Sequence, residues 1–118
     1  MFSLNEDNRY FLYDHATDMR KGFDSLQGIV SEHMQRSATD GGVYVFMNKS
    51  RTLIKLLHWE HGGFTMYYKR LEKGRFERPN TKAKNDSSIQ ITWSDLMLIV
   101  SGIRLDSIRK SSRFSLKK

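Results

Sequence analysis

The sequence predicts an α+β protein: an antiparallel β-meander of three to five strands packed against one amphipathic helix, plus a short C-terminal helix. Three observations predict this class. An apolar stripe with helical spacing comes early, three strand-like runs with short connections follow it, and a second helical stripe lies near the end. A chain of 118 residues suggests one domain with a modest core, for which we expect two layers.

The first strand and the amphipathic helix are predicted in the first third of the chain. Aromatic residues dominate 9–14, which is typical of a strand. Residues 19–36 are predicted to be helical because apolar residues recur there at spacings of three and four. We expect Asp18 to cap this helix and its stripe to pack on one face of the sheet. The stripe consists of Met19, Phe23, Leu26, Val30 and Met34.

The meander is predicted from three runs of strand composition at 43–48, 52–60 and 64–71. The polar segments "KSR" and "HGG" separate these runs. Short connections of this kind join antiparallel neighbours.

The last part of the domain begins with a polar linker at 80–88, followed by a short strand at 89–91. Thr92 and Asp95 have the spacing of a capping box, with aspartate in place of the usual glutamate. A short helix is therefore predicted after Thr92, and Gly102 is its expected C-terminal stop.

The charge is unevenly distributed along the chain. Residues 1–60 hold 7 Lys/Arg and 8 Asp/Glu, whereas residues 61–118 hold 13 Lys/Arg and 5 Asp/Glu. We expect a single domain over 1–103 and a basic tail over 104–118, which has six Lys/Arg and one Asp. A positive half of this kind favours polyanionic partners, although a solvated basic surface without a partner has the same charge.

The composition excludes several kinds of site. The chain has no cysteine, so it has no disulfide, no cysteine-based zinc site and no thiol catalysis. A reducing cytoplasm is the simplest location for such a protein. No secretory signal and no membrane-spanning apolar run is predicted.

The segment "HWEHGGFTMYYKRLEKGRFERP" (58–79) raises the question of an enzyme. His58 and His61 flank a carboxylate, but a strand that runs into a Gly-Gly turn would make their side chains diverge. Adjacent strand residues point to opposite faces, so one of Tyr67 and Tyr68 is expected in the core and the other outside. We therefore predict no catalytic residue, no metal site and no cofactor.

Cations along the second and third meander strands are the candidate functional residues. Lysine and arginine fix phosphates, and interleaved aromatic side chains can stack on bases. Strand alternation sends Lys69 and Arg70 to opposite faces. The alternative is that Arg70 or Arg75 pairs with a nearby glutamate and only solubilises a sheet edge. The candidate DNA contacts are Lys49, Arg51, Lys55, Lys69, Arg70, Lys73 and Arg75.

Long stretches of the chain resemble a known family. "DMRKGFDSL" (18–26), "KSRTLIKLLHWEHGGFTMYYKRLEKGRFERP" (49–79) and the opening "MFSL…RYFLY" are similar to the TnpB-like accessory protein. That protein is encoded by the second reading frame of insertion-sequence-66 type bacterial transposons. "ITWSDLMLIVSGI" (91–103) is a weaker match, and "SATDGG" (37–42) lacks an expected proline.

This resemblance implies a role in DNA transposition without catalysis, because a separate transposase of the same element carries the chemistry. Together with the basic second half, it predicts an accessory protein that binds DNA at the transposon ends and assists transposase assembly. The alternative is a protein–protein adaptor that docks on the transposase without contacting DNA; exposed aromatic and methionine side chains would favour it. A metal-dependent nuclease using His58 and His61 is the third hypothesis.

Overall fold

A computed structural model of the chain describes residues 4–79 and 87–102. The α+β class is confirmed. Most of the predicted linker, from 80 to 86, and the whole of the predicted basic tail lie outside the described residues. The elements in chain order are β1 (Tyr10–Tyr13), α1 (Phe23–Glu32), β2 (Val43–Met47), β3 (Leu53–Glu60), β4 (Gly63–Arg70), β5 (Ser88–Ile91) and α2 (Trp93–Val100).

The five strands form one mixed sheet in the order β4-β3-β2-β1-β5. The meander β2-β3-β4 is antiparallel, as predicted. Strand β1, however, lies between β2 and β5 and runs parallel to β2, with Tyr10 opposite Val43. The prediction of a purely antiparallel sheet is therefore wrong. The reason is that α1 carries the chain back along the sheet, so that β2 starts at the same end as β1.

The two helices cover opposite faces of the sheet. The core on the α1 side contains Leu26 and Val30 of the helix with Tyr44 and Phe46 of β2. Alternate residues of β2, such as Val45, pack in a second core with α2. All five residues of β2 are buried, as expected for a strand covered on both faces. The fold thus has three layers, and the expected two-layer arrangement is wrong.

Helix α1 begins later than predicted. The predicted helix covers 19–36, but the observed helix starts at Phe23, and Asp18 does not cap it. Asp18 Oδ1 accepts a hydrogen bond from the backbone N–H of Arg20 at 2.9 Å, which stabilises a turn instead. The N-cap is Gly22, which makes no side-chain capping hydrogen bond.

A buried lysine explains why the helix does not extend towards residue 19. The carbonyl oxygens of Met19 and Lys21 accept hydrogen bonds from Lys55 Nζ at 2.7 and 2.8 Å. Met19 still packs against the α1-side core, but Phe23 is 46% exposed, so its predicted place in the buried stripe is wrong. At the other end, Gln35 has a positive φ of 57°, which is incompatible with a helix that continues to 36.

The turn after β3 and the residues that begin and end α2 have the expected geometry. His61 and Gly62 have positive φ values of 50° and 80° and form the two-residue β3–β4 turn. Thr92 Oγ1 accepts a hydrogen bond from the N–H of Asp95 at 3.1 Å, so the predicted cap of α2 is confirmed. Gly102, with φ of 74°, donates to Ile99 O at 2.9 Å just after α2. Among the described residues, no helix is long and apolar enough to cross a membrane.

Candidate nucleic-acid interface

One end of the sheet collects most of the positive charge of the described residues. The last residues of β1, β2 and β4 meet the first residues of β3 there. The surrounding segments 14–21, 48–53 and 69–78, called the basic end below, hold nine Lys/Arg and four Asp/Glu. At the opposite end, the segments 4–9 and 32–42 hold two Lys/Arg and four Asp/Glu. The two ends of the sheet therefore carry opposite net charge. The positive end attracts a polyanion.

A groove of about 890 Å³ lies in the basic end on the α1 side of the sheet, and we call it the Tyr68 groove. A second groove of about 320 Å³ adjoins it and shares Leu53 and Tyr68 with it. Apolar surface thus lies beside cationic side chains. The lining of the Tyr68 groove includes Asp18, Arg20, Lys49, Leu53, Tyr68 and Arg75.

Five of the seven predicted cations lie on the surface of the basic end. Lys49 and Arg75 line the Tyr68 groove, and Arg70 lines the adjoining one. Lys73 is exposed nearby, and Arg51, half-buried, lines a small cavity together with Lys49. Strands β2, β3 and β4 thus bring together side chains up to 26 positions apart in sequence, from Lys49 to Arg75.

Arg70 forms an ion pair with a nearby glutamate, as expected if it only solubilises a sheet edge. Its Nη2 lies 3.4 Å from Glu72 Oε1, and the two side chains are 70% and 78% exposed. An ion pair between such exposed groups contributes little to stability. Arg70 can therefore exchange Glu72 for a phosphate at low cost.

The other two predicted cations have partners inside the fold. Lys55 is only 6% exposed, and both its hydrogen bonds go to backbone carbonyls. Lys69 Nζ donates to Val100 O at 2.8 Å, at the C-terminal end of α2, where a positive charge is favourable. Lys69 also lies on the opposite face from Arg70, as strand alternation predicts. Neither lysine is placed to contact a ligand in the Tyr68 groove.

Among the interleaved aromatic residues, Tyr68 alone presents a large exposed surface. Tyr67 packs against the α2-side core, whereas Tyr68 is 53% exposed, so the predicted division of the pair is confirmed. Phe76 is fully buried, and Phe64 packs against the α1-side core. Phe64 and Phe76 are therefore structural.

Two further arginines of the basic end are not among the predicted DNA contacts. Arg78 pairs with the Asp14 carboxylate and donates to the Asp14 carbonyl at 2.7 Å, which ties the segment after β4 to the end of β1. Arg20 Nη2 lies 2.6 Å from Asp18 Oδ2, and this hydrogen bond holds the pKa of Asp18 well below its usual range. The Arg78 contact spans 64 positions, so no local pattern in the sequence indicates it.

The histidines are not arranged as metal ligands. His58 is buried on the α2 side, and its Nδ1 lies 3.7 Å from Glu60 Oε2. His61 is exposed in the β3–β4 turn. Within the described part of the chain, no three His, Cys, Asp or Glu residues are grouped so that they could hold a metal ion.

Thr17, beneath the Tyr68 groove, yields a prediction about stability. It is 4% exposed, and its Oγ1 has no hydrogen-bond partner among the described residues. Thr17→Val is expected to raise the free energy of unfolding by about 1 kcal/mol, because an unpaired buried hydroxyl is costly. Urea unfolding measures this change.

Thr52→Val is the matched control for this substitution. The Thr52 hydroxyl accepts a hydrogen bond from Asn48 Nδ2 at 3.2 Å, so its loss is expected to destabilise the protein. A loss of stability in Thr17→Val as large as in Thr52→Val would show that the Thr17 hydroxyl has a partner.

Comparison with known proteins finds one matching family and two similar proteins. The family described as "IS66 Orf2 like protein" matches residues 8–110. "Uncharacterized protein y4hO" of Sinorhizobium fredii (strain NBRC 101917 / NGR234) is 32% identical over 103 residues, which cover 87% of each chain. "Uncharacterized protein y4jC" of the same strain is 22% identical over 102 residues, covering 86% of this chain and 85% of its own. No solved structure matches the chain. The family match includes the whole basic end.

Proposed function

Since this chain belongs to the IS66 Orf2 like family, which implies an accessory protein of transposition, we propose that its basic end binds the phosphate backbone of transposon DNA. In this proposal the bound protein assists the assembly of the transposase of the same element at the transposon ends. In this proposal the protein itself carries out no catalytic step.

The observation that supports this proposal is the position of the surface cations. Lys49, Lys73 and Arg75 are exposed at the same end of the sheet as Arg70 and the half-buried Arg51. Phosphates along a DNA strand recur every few ångströms, so cations spread over one end of a domain can contact several of them at once. Contacts of this kind position the protein but do not read the base sequence.

The C-terminal tail strengthens the proposal. The described domain finishes at Gly102, close to the point where Lys69 binds Val100 O at the basic end. Residues 104–118, which follow in the sequence, hold six Lys/Arg and one Asp. The sequence beyond the described domain therefore adds to the positive charge of the full chain, which favours binding of a polyanion.

A salt titration tests the proposal on the full chain. The affinity for duplex DNA from the transposon end, measured by gel shift, is expected to fall linearly on logarithmic axes as salt rises. Five phosphates neutralised by the basic end correspond to a slope of roughly −4 to −5, and contacts made by the basic tail make the slope steeper. A duplex of random sequence is expected to give a similar slope, because backbone contacts are independent of sequence. Absence of duplex binding at low salt would contradict the proposed binding to duplex DNA at the transposon end.

The adaptor remains the second candidate because of two exposed apolar side chains. Phe23 is 46% exposed and Tyr68 is 53% exposed, and aromatic residues are enriched in protein interfaces. Co-purification with the transposase after nuclease treatment, without DNA binding by the isolated protein, is the result that favours the adaptor.

A further inference from the structure

We propose that the Tyr68 groove takes an unpaired nucleotide, so that the preferred ligand of the basic end is single-stranded DNA. The base stacks on the Tyr68 ring, and Lys49 and Arg75 hold the adjoining phosphate. This inference rests on the proposed DNA binding and names the class of DNA that this surface accepts.

The Tyr68 ring is both supported by a contact within the fold and accessible to solvent. Lys55 Nζ lies 4.7 Å from the ring centroid and is itself anchored by two backbone carbonyls at 2.7 and 2.8 Å. This cation–π contact holds the ring from within the fold. The ring nevertheless remains 53% exposed and lines the groove. A ring that is already restrained by a contact loses less conformational entropy when a base stacks on it.

The groove combines the two surfaces that a nucleotide requires. Tyr68 and Leu53 supply apolar surface, while Lys49 and Arg75 supply positive charge. The groove is open to solvent along much of its length, and its volume of about 890 Å³ leaves room for a nucleotide. An aromatic platform beside cations is the usual means by which proteins bind single-stranded DNA without a strong sequence preference.

Asp18, the one carboxylate among the described residues that line the groove, limits where the phosphate can lie. Asp18 would repel a phosphate, but its charge is paired with Arg20 across 2.6 Å. The part of the groove near Lys49 and Arg75 is therefore the favourable place for the phosphate.

A duplex cannot use this groove in the same way. Bases in a duplex are stacked on each other, so an aromatic side chain in a concave site reaches a base face only when the nucleotide leaves the stack. Duplex DNA would instead contact the cations of the basic end through its backbone. The contribution of Tyr68 is therefore expected for single strands and not for duplexes.

Fluorescence anisotropy with a labelled 15-nucleotide thymidine oligomer and a labelled duplex of the same length tests the inference. Tyr68→Ala in the full chain is expected to weaken binding of the single strand by about 5- to 100-fold, in line with the loss of one stacked base. It is expected to leave duplex binding unchanged. Tyr68→Phe keeps the ring and is expected to retain the affinity for the single strand.

Phe23→Ala is the matched control, because Phe23 is similarly exposed but does not line the groove. It is expected to leave both affinities unchanged, and thermal melting of each variant reports on folding. Equal effects of Tyr68→Ala on the two ligands, or none on either, would overturn the inference and leave the proposed function intact. A wild-type protein that binds neither ligand overturns both. Loss of transposase co-purification in Tyr68→Ala, with single-strand binding unchanged, would assign Tyr68 to a protein interface and reject the inference.

Discussion

Replacing Lys49, Arg51 and Arg75 together by glutamate is expected to lower the affinity for duplex DNA by roughly 100-fold or more at low salt. Three phosphate contacts are lost, and three negative charges then face the DNA. Loss of the contacts also makes the slope of the logarithm of the affinity against the logarithm of the salt concentration less steep by about three. Gel-shift titrations at several salt concentrations measure the affinity and the slope. We expect the fold to be retained, since Lys49 and Arg75 are exposed and Arg51 is half-buried in a turn.

The control for this variant is a charge reversal at the opposite end of the sheet. Arg9 is exposed there and donates to Asp40 O at 3.3 Å. Arg9→Glu is expected to change the affinity little, because the altered charge lies far from the basic end along the strand direction. A loss per reversed charge equal to that of the triple variant would mean that net charge, and not the basic end, governs binding.

Substitution of Lys55 by alanine is expected to destabilise the protein by about 2–4 kcal/mol. The carbonyls of Met19 and Lys21 lose their donor, and the buried aliphatic part of the side chain leaves a cavity. A change of 1 kcal/mol corresponds to a shift in melting temperature of about 4–8 °C for a domain near this size. Urea unfolding and thermal melting measure the effect.

Two variants separate the contributions to this loss. Lys55→Met keeps most of the packed volume but leaves both carbonyls unpaired, so it is expected to cost about 1–3 kcal/mol. Lys21→Ala removes an exposed lysine and leaves the Lys21 carbonyl bound to Lys55, so stability is expected to change little. If Lys55→Ala weakened DNA binding while stability stayed unchanged, Lys55 would belong among the DNA contacts, as the sequence first indicated.

The helices and strands were predictable because their patterns are local. The strand composition and short turns of the meander correctly predicted β2, β3 and β4, and the opposite orientations of Tyr67 and Tyr68 followed from the two-residue period of a strand. The capping pattern of α2 and its stop at Gly102 were also correct, since they depend on residues within one turn of each other. The family was likewise indicated by contiguous segments, and it is confirmed by the match over 8–110.

The candidate site was only partly predictable, because a cation in a strand can point in either of two directions. Sequence composition indicated that basic residues accumulate after residue 60, but it could not distinguish exposed Arg75 from buried Lys55. Lys55 donates hydrogen bonds to backbone carbonyls 34 and 36 positions away in the sequence, and Lys69 donates to one that is 31 positions away. Such partners are unknown until the segments are placed together.

The sequence alone was thus sufficient for the α+β class and most element positions, because the periods of helices and strands and the chemistry of caps depend on residues close together in the sequence. It was also sufficient for the family, because contiguous segments carry the resemblance. Packing alone placed β1 between β2 and β5, put a helix on each face of the sheet, and gathered Lys49, Arg70 and Arg75 around Tyr68. The order of the strands, and whether a long cationic side chain is buried or exposed, depend on contacts between distant segments. Those contacts exist only in the folded chain.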